Sequence, residues 1–399
     1  WVGKKKKTIR DFNLKNKKVI IRCDFNVPIK DGKIIDDTRI KNSLETIKYA
    51  IDKNAKVILL SHLGRIKEES DKVKNNLDVV AKRLSKLLNK KVIFVNEVVG
   101  EKVETAISKM KDKDVILLQN TRYEDLDGKK ESKCDLEFAK QLASYGDIFI
   151  NDAFGTIHRA HASNYGISKY LESGIGFLVE KELEKLSILN NPEDPFVIIM
   201  GGAKVADKIG VIDNLLPKCD KLLIGGGMAF TFLQAEGYEI GNSIFDADSL
   251  EYCQKLLKEY PNKIVLPIDV ACSTEYKDSD ERIQQDINEI DIHEMGLDIG
   301  EKTLNLFEKY LKEAKTVFWN GPLGVYEFSL YAKNTDELLT YLGKSKAKVV
   351  LGGGDIVAAA SKLSITDKFY HVSTGGGATL EYLSGKELPG LENIEEKEA

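Results

Sequence analysis

Short, unbroken apolar runs recur along the chain, separated by longer stretches in which apolar residues return every third or fourth position. In the first half the runs are Val19–Arg22, Val57–Leu60, Val92–Val95, Val115–Leu118 and Ile148–Ile150. The stretches between them lie near Arg39–Asp52, Leu77–Asn89, Val98–Lys111 and Leu136–Tyr145. A run without alternation suits a strand covered on both faces, and helical spacing between such runs makes a βαβ series. The second half repeats the scheme, with strands predicted at Phe196–Met200, Lys221–Ile224, Lys263–Pro267, Thr316–Trp319, Val349–Leu351 and Phe369–Val372. The segment Thr274–His293 is acidic and polar with few aliphatics, which predicts a loop or a surface excursion. Within Gly174–Asn191, residues Phe177, Leu178, Leu183, Leu186 and Leu189 mark an amphipathic helix ahead of Pro192 and Pro195, read as the helix joining two domains. The predicted class is α/β, with two doubly wound parallel-sheet (Rossmann-like) domains.

A length of 399 residues agrees with two domains, since single cores stop growing below that size. A net charge of −4 argues against a nucleic-acid binder. The basic run Lys4–Lys7 reads as a solvated tail, and the acidic end Glu392–Ala399 as frayed. No apolar run reaches bilayer length, and no signal peptide or membrane partner is expected. The five cysteines are scattered and form no C-x-x-C pair, which fits reduced thiols in a cytosolic protein.

Four of the predicted strands in the second half end in glycine. The turns are Gly201-Gly202-Ala203-Lys204, Gly225-Gly226-Gly227, Gly352-Gly353-Gly354-Asp355 and Thr374-Gly375-Gly376-Gly377, each ahead of a helical pattern. Strand, glycine turn and helix N-terminus together offer free N–H groups and a favourable dipole to an anion. Four such turns at strand ends suggest one shared cleft. Asp355 is placed to hold Mg²⁺, which takes oxygen ligands and few of them from protein. Lys204 and Lys208, four apart on one helical face, are placed to reach phosphate oxygens.

Glycine and arginine divide unequally between the halves. Of 31 glycines, ten precede residue 200 and twenty-one follow it. Of eight arginines, seven lie in the first 159 residues. Arg65, Arg122 and Arg159 each follow a predicted strand, in loops that also hold His62, His158 and His161, and Arg39 opens a predicted helix. Four guanidinium groups at one sheet edge make an anion site, because the planar fork matches phosphate and carboxylate. Arg22, at the end of the first strand, is expected to pair with a neighbouring aspartate. A zinc site from His158 and His161 lacks a third ligand at the usual spacing. Dehydrogenase G-x-G-x-x-G spacing and the P-loop signature are both absent. What remains is a kinase with one substrate on each lobe, or a two-lobed protein that binds a phosphate ligand without chemistry.

At these residues the chain resembles the phosphoglycerate kinase family from about Lys6 to Leu391. The motifs are Arg22-Cys23-Asp24-Phe25-Asn26-Val27-Pro28, Asp37-Thr38-Arg39-Ile40, Ser61-His62-Leu63-Gly64-Arg65, Asn151-Asp152-Ala153-Phe154-Gly155 and His158-Arg159-Ala160-His161. They continue with Gly201–Lys208, Gly225–Met228, Met295-Gly296-Leu297-Asp298, Trp319-Asn320-Gly321-Pro322, Gly352–Asp355 and Ser373–Gly377, all in family order. The resemblance implies reversible transfer of the acyl phosphate of 1,3-bisphosphoglycerate to Mg-ADP, giving 3-phosphoglycerate and Mg-ATP. It implies that Asp24, Asn26, Arg39, His62, Arg65, Arg122 and Arg159 hold the triose phosphate. It implies that Lys204, Lys208, Gly296, Asn320, Glu327, Gly353, Gly354, Asp355 and the backbone of Ile356 hold ADP or ATP. Asp355 would carry the Mg²⁺ contact, and Arg39 and Lys204 would neutralise the transferring phosphoryl group.

It also implies hinge-bending domains: 1–173 with a returning 380–399, a connecting helix 174–191, and 192–379. Closure would bring Arg39 and Lys204 to one phosphoryl group. The implied protein is a cytoplasmic monomer whose partners are its small-molecule substrates. Three departures stand out: Ile356 replaces the family's usual hydroxyl residue, His293-Glu294 replaces a frequent Gly-Trp, and Gln119 replaces a common glutamate.

Overall fold

A computed structural model describes residues 5–397. Its chain divides into two compact units, Trp1–Glu184 with Glu387–Ala399, and Lys185–Lys386. In the first, β1 (Lys18–Arg22), β4 (Lys56–Leu60), β5 (Val92–Val95), β6 (Val115–Leu118), β7 (Ile148–Asn151) and β8 (Glu172–Ile175) form one parallel sheet. Between β1 and β4 lies a small hairpin of β2 (Ile29–Lys30) and β3 (Lys33–Ile34). The sheet order is β5-β6-β4-β1-β7-β8. The unbroken apolar runs explain it: Val19, Ile21, Val57 and Leu59 enter one core, and Ile20, Ile58 and Leu60 enter the other.

Register places the loops. Arg22, the last residue of β1, pairs with Leu60 on one side and Asn151 on the other, so these three strands end together. The segments that follow them, with the one following β6, therefore leave from a single edge.

The second unit has a parallel sheet of β9 (Phe196–Met200), β10 (Lys221–Ile224), β11 (Ile264–Val265), β15 (Thr316–Asn320), β16 (Lys348–Leu351) and β17 (His371–Val372), in the order β11-β10-β9-β15-β16-β17. Met200 pairs with both Ile224 and Asn320, and Trp319 with Leu351, so the glycine turns again leave from one edge.

Several sequence expectations are corrected. Thr274–His293 is not all loop: β13 (Ile283–Asp286) pairs antiparallel with β12 (Asp269–Ser273), which also pairs with β14 (Met295–Ile299). The eighth arginine explains part of this. Arg282 hydrogen-bonds Asp298 at 3.0 Å, the Leu330 carbonyl at 2.6 Å and Glu301 at 3.3 Å, fixing a polar strand that few apolar contacts could hold. Gly174 and Ile175 lie in β8, and the helix after them is shorter than expected, Phe177–Ser187. The Arg39–Asp52 pattern is two helices, Thr38–Asn42 and Leu44–Asp52.

Neither chain end is free over its described part. Lys6 is buried, with its ammonium on the Ile394 carbonyl at 3.0 Å, and Lys6 bridges Glu396 antiparallel. Lys7 pairs with Glu395, and Ile394 is buried. The basic and acidic ends thus hold each other; residues 398 and 399 of the expected frayed tail, and Lys4 of the expected basic tail, lie outside the described residues.

Candidate functional site

In the first unit, side-chain hydrogen bonds join the segments after β1, β4 and β6. Ser61 accepts from the Phe25 N–H at 2.9 Å and donates to the His62 carbonyl. Asn120 accepts from the Leu63 N–H at 3.0 Å and from the Arg122 N–H at 3.0 Å, and donates to the Leu63 and Asn75 carbonyls. The Asn26 side chain accepts from the Gly64 N–H at 2.8 Å. These loops are therefore built before any ligand arrives. Ser61 and Asn120 carry this role although the sequence pattern assigns neither of them one. Gln119 has a physical account as well. Its carbonyl accepts from the Leu77 and Asn120 N–H groups, and its amide donates to Asn76 and Asn96. A glutamate could not supply those last two bonds.

On this frame the structure brings most of the expected residues together. Arg39 lies 3.3 Å from both carboxylate oxygens of Asp24 and 3.2 Å from the Asn26 carbonyl. Arg122 donates to the Gly64 carbonyl at 3.0 Å, while its buried Nε has no partner. Arg65 and Arg159 are exposed in the loops after β4 and β7. Among the described residues, Arg65, Arg122 and Arg159 form no ion pair. Contrast Arg10 on Glu180 at 2.7 Å, Arg83 on Asp37 at 2.7 Å, and Arg282 on Asp298. Guanidinium groups left without carboxylates at one edge describe a site awaiting an anion.

Two histidines register this charge. Burial, then Arg22, Arg122, His161 and Arg39, hold His62 well below the ordinary imidazole range. Burial, then Arg122, Arg22 and Arg159, push His161 down to about 3. Both are neutral near pH 7 and offer donors without adding charge. The pairing expected for Arg22 is corrected. It is fully buried, and its partners are Ser163, the Cys23 carbonyl and His62 rather than an aspartate.

In the second unit a cavity of about 630 Å³ opens at the glycine edge, bordered by Gly202, Gly226, Gly296, Leu323, Glu327 and Asp355 among others. Three of the four glycine turns or the helices they open border it. Thr374–Gly377 contributes no lining residue. Part of its wall comes from Val270, Met295 and Leu297 of the antiparallel sheet, none of which lies in a strand that the apolar runs predict. Apolar walls with polar groups at few points are typical of small-ligand sites.

Beside it, Lys208 donates to the Asn320 side-chain oxygen, and Asn320 donates to the Gly352 carbonyl at 2.7 Å. Burial lowers the Lys208 pKa, opposed by Asp207 and Asp355. Gly353 has φ +102°, and a Cβ there would meet the Asn320 amide, so glycine is required. The helix Gly354–Lys362 follows, its first-turn N–H groups without helical partners. Ile356 is fully buried in the core, so only its backbone remains for a ligand. Lys204 and Lys208 do not share a helical face. Lys204 is extended and exposed, because the chain makes only a 3₁₀ turn at Val205–Lys208.

Asp355 is exposed, borders the cavity and has no ion-pair partner among the described residues. A single free carboxylate suits Mg²⁺, which keeps most of its ligands as water and phosphate oxygens. Among the described residues no group of three or more His, Cys, Asp or Glu could hold a metal by itself. No helix among them is long and apolar enough to cross a membrane.

A family profile described as phosphoglycerate kinase matches residues 9–386. The chain is 54% identical over 397 residues to a phosphoglycerate kinase of Fusobacterium nucleatum, covering 98% of this chain and 100% of that one. It is 53% identical over 394 residues to one of Listeria monocytogenes, again covering 98% and 100%. Among solved structures, phosphoglycerate kinase from Coxiella burnetii matches with a TM-score of 0.88 at 39% identity, covering 97% of this chain and 98% of that one. The enzyme from Pyrococcus horikoshii OT3 matches with a TM-score of 0.82 at 33% identity, with the same coverage. With two parallel-sheet units, an unpaired arginine edge on one and a glycine-edged cavity on the other, this chain belongs to the phosphoglycerate kinase family.

Proposed function

We propose that the chain transfers the acyl phosphate of 1,3-bisphosphoglycerate reversibly to Mg-ADP, giving 3-phosphoglycerate and Mg-ATP. Family membership supports the reaction, and nothing found favours the non-catalytic alternative. The observation that carries the substrate assignment is the unpaired state of Arg65, Arg122 and Arg159 at a preformed edge. A triose acid with a phosphate at one end and a carboxylate at the other supplies the missing anions. Asp24 and Asn26 are assigned to its hydroxyl and carboxylate region, and His62 to a neutral donor.

The cavity of the second unit is assigned to the nucleotide, with apolar walls for the base and Glu327 at the ribose. Lys208, Asn320, Gly296, Gly353, Gly354 and the Ile356 backbone surround the rest of the nucleotide. Mg²⁺, bound through Asp355 and the phosphates, would neutralise phosphate charge. Arg39 and Lys204 are assigned to the transferring group. In the ATP-consuming direction a carboxylate oxygen attacks the γ-phosphorus in line and the bond to ADP breaks. The attacking carboxylate has no proton to lose, so no general base is required. Monomeric state, cytoplasmic location and hinge-bending belong to the same reading.

The test is turnover of 3-phosphoglycerate with Mg-ATP, coupled to a dehydrogenase that consumes NADH. Wild type is compared with Arg39→Ala and Asp355→Ala. Turnover in wild type with losses of about 100-fold or more in both variants is expected. A folded but inactive wild type would overturn the reading.

A further inference from the structure

We propose that Arg22, held by Ser163 and Glu131, is a positioning residue that fixes His62 as the Nε2–H tautomer. The argument is one of donors and acceptors. A guanidinium has five N–H donors and no acceptor. Arg22 Nη2 lies 3.0 Å from His62 Nδ1. The proton in that bond comes from Arg22, so Nδ1 carries the lone pair and Nε2 carries the hydrogen. Nε2 makes no hydrogen bond among the described residues, which leaves its N–H as the free donor of the ring.

Arg22 has little freedom to do otherwise. It is fully buried, its Nε donates to Ser163 Oγ at 2.8 Å, and its Nη1 donates to the Cys23 carbonyl. Ser163 in turn donates its only hydroxyl hydrogen to Glu131 Oε2 at 2.6 Å, and its N–H to Oε1 at 2.8 Å. Glu131 is also fully buried. Directions are thus defined from end to end: Arg22 gives to His62 on one side and, through Ser163, answers a buried carboxylate on the other. The carboxylate balances a buried cation without touching it, so no acceptor competes for Nη2.

A doubly protonated imidazole would set donor against donor. It would also face Arg22 at the end of β1, Arg39 of the helix Thr38–Asn42, Arg122 after β6 and His161 after β7. The ring therefore stays neutral across the physiological range. The alternative is that these groups merely fill the end of β1, in which case the tautomer carries no consequence. That the free N–H serves the triose acid rests on the function proposed above; the tautomer does not.

The whole protein, labelled with ¹⁵N-histidine, tests this by NMR from about pH 5.5 to about pH 8.5. The His62 signals are assigned by their loss in His62→Asn. The expected ring shows an unprotonated Nδ1, a protonated Nε2 and no titration. A protonated Nδ1, a mixture, or titration near the ordinary imidazole value (about 6.5) would overturn the proposal. The tautomer is read in wild type, and His62→Asn serves only to assign the signals. Should that variant not fold, the two-bond and three-bond ¹⁵N–¹H correlations of each of the five histidine rings in wild type still show whether any ring has the predicted pattern. Its absence from all five would overturn the proposal.

Ser163→Ala then tests the positioning. The expected result is mixed tautomers and a KM for 3-phosphoglycerate raised about tenfold, with the KM for ATP and kcat within about twofold. An unchanged tautomer and KM would remove Ser163 and Glu131 from the arrangement. An inactive protein with the predicted tautomer would sink the function and leave this inference standing; an active protein without it would do the reverse.

Discussion

The two sheet edges solve one problem, holding a phosphorylated substrate, in opposite ways. The first unit uses side chains: guanidinium groups without counter-ions, on loops tied by Ser61, Asn120 and Asn26. The second uses backbone and shape: glycine turns, helix N-termini and a cavity of about 630 Å³. The difference teaches what arginine is for in this chain. Arg10, Arg83 and Arg282 build structure by meeting a carboxylate directly, and buried Arg22 does so through Ser163, which bonds Glu131. At the anion edge Arg65, Arg122 and Arg159 meet none among the described residues, while Arg39, assigned to the transferring group, lies 3.3 Å from Asp24.

The strongest way to break the contrast is to remove a structural arginine. Arg282→Ala leaves Asp298 buried without its cation, a loss of about 3–5 kcal/mol. Denaturant unfolding should show it, and KM for 3-phosphoglycerate should hold in what stays folded. A drop in substrate affinity at unchanged stability would refute the division. The converse is Arg159→Ala, an exposed arginine of the anion edge. It should lower kcat/KM for 3-phosphoglycerate by about 10- to 100-fold, the value of a charge-assisted bond, with unfolding unchanged. Equal effects on stability and turnover would contradict it.

A buried carboxylate near the same edge sharpens the electrostatics. Asp152 accepts from the Leu178 and Val179 N–H groups, its other oxygen has no partner, and burial raises its pKa to about 7. The folded form then binds a proton that the unfolded form has already lost between about pH 4 and pH 7. Stability from this group is full below that window and falls as pH rises through it, by up to about 1.4 kcal/mol per pH unit. Asp152→Asn should remove that slope, read as unfolding free energy at successive pH values; an identical pH profile would show that the carboxylate is ionised throughout. The smallest effect belongs to the cavity. A Cβ at Gly296 would strike the Phe230 ring. Gly296→Ala should raise the KM for ATP about tenfold and leave that for 3-phosphoglycerate alone. A change in both would show that the two edges are not independent.

Much of this was legible in the sequence because it is periodic. Unbroken runs such as Val19–Arg22 and Phe196–Met200 can hardly be anything but buried strands, and glycine after them marks the edge. The scarcity of arginine made its placement readable. What was not legible depends on contacts distant in sequence. β13 is polar, and it is held by its ladder to β12 and by polar contacts such as Arg282 to Asp298 and Glu301 and Gln285 to Glu294, none of which a local pattern shows. The terminal lysines looked solvated because their partners, Ile394 and Glu395, lie nearly 390 residues away. The role of Arg22 was hidden for the same reason: Ser163 is 141 residues distant.

The central claim is that unpaired arginines, and not arginines in general, hold the triose acid. Calorimetric titration of 3-phosphoglycerate into wild type, Arg122→Ala and Arg83→Ala tests it most directly. The account predicts that Arg122→Ala weakens binding by about 10- to 100-fold, while Arg83→Ala, whose arginine is already paired with Asp37 at 2.7 Å, binds as wild type does. Equal losses in both variants, or none in Arg122→Ala, would contradict it.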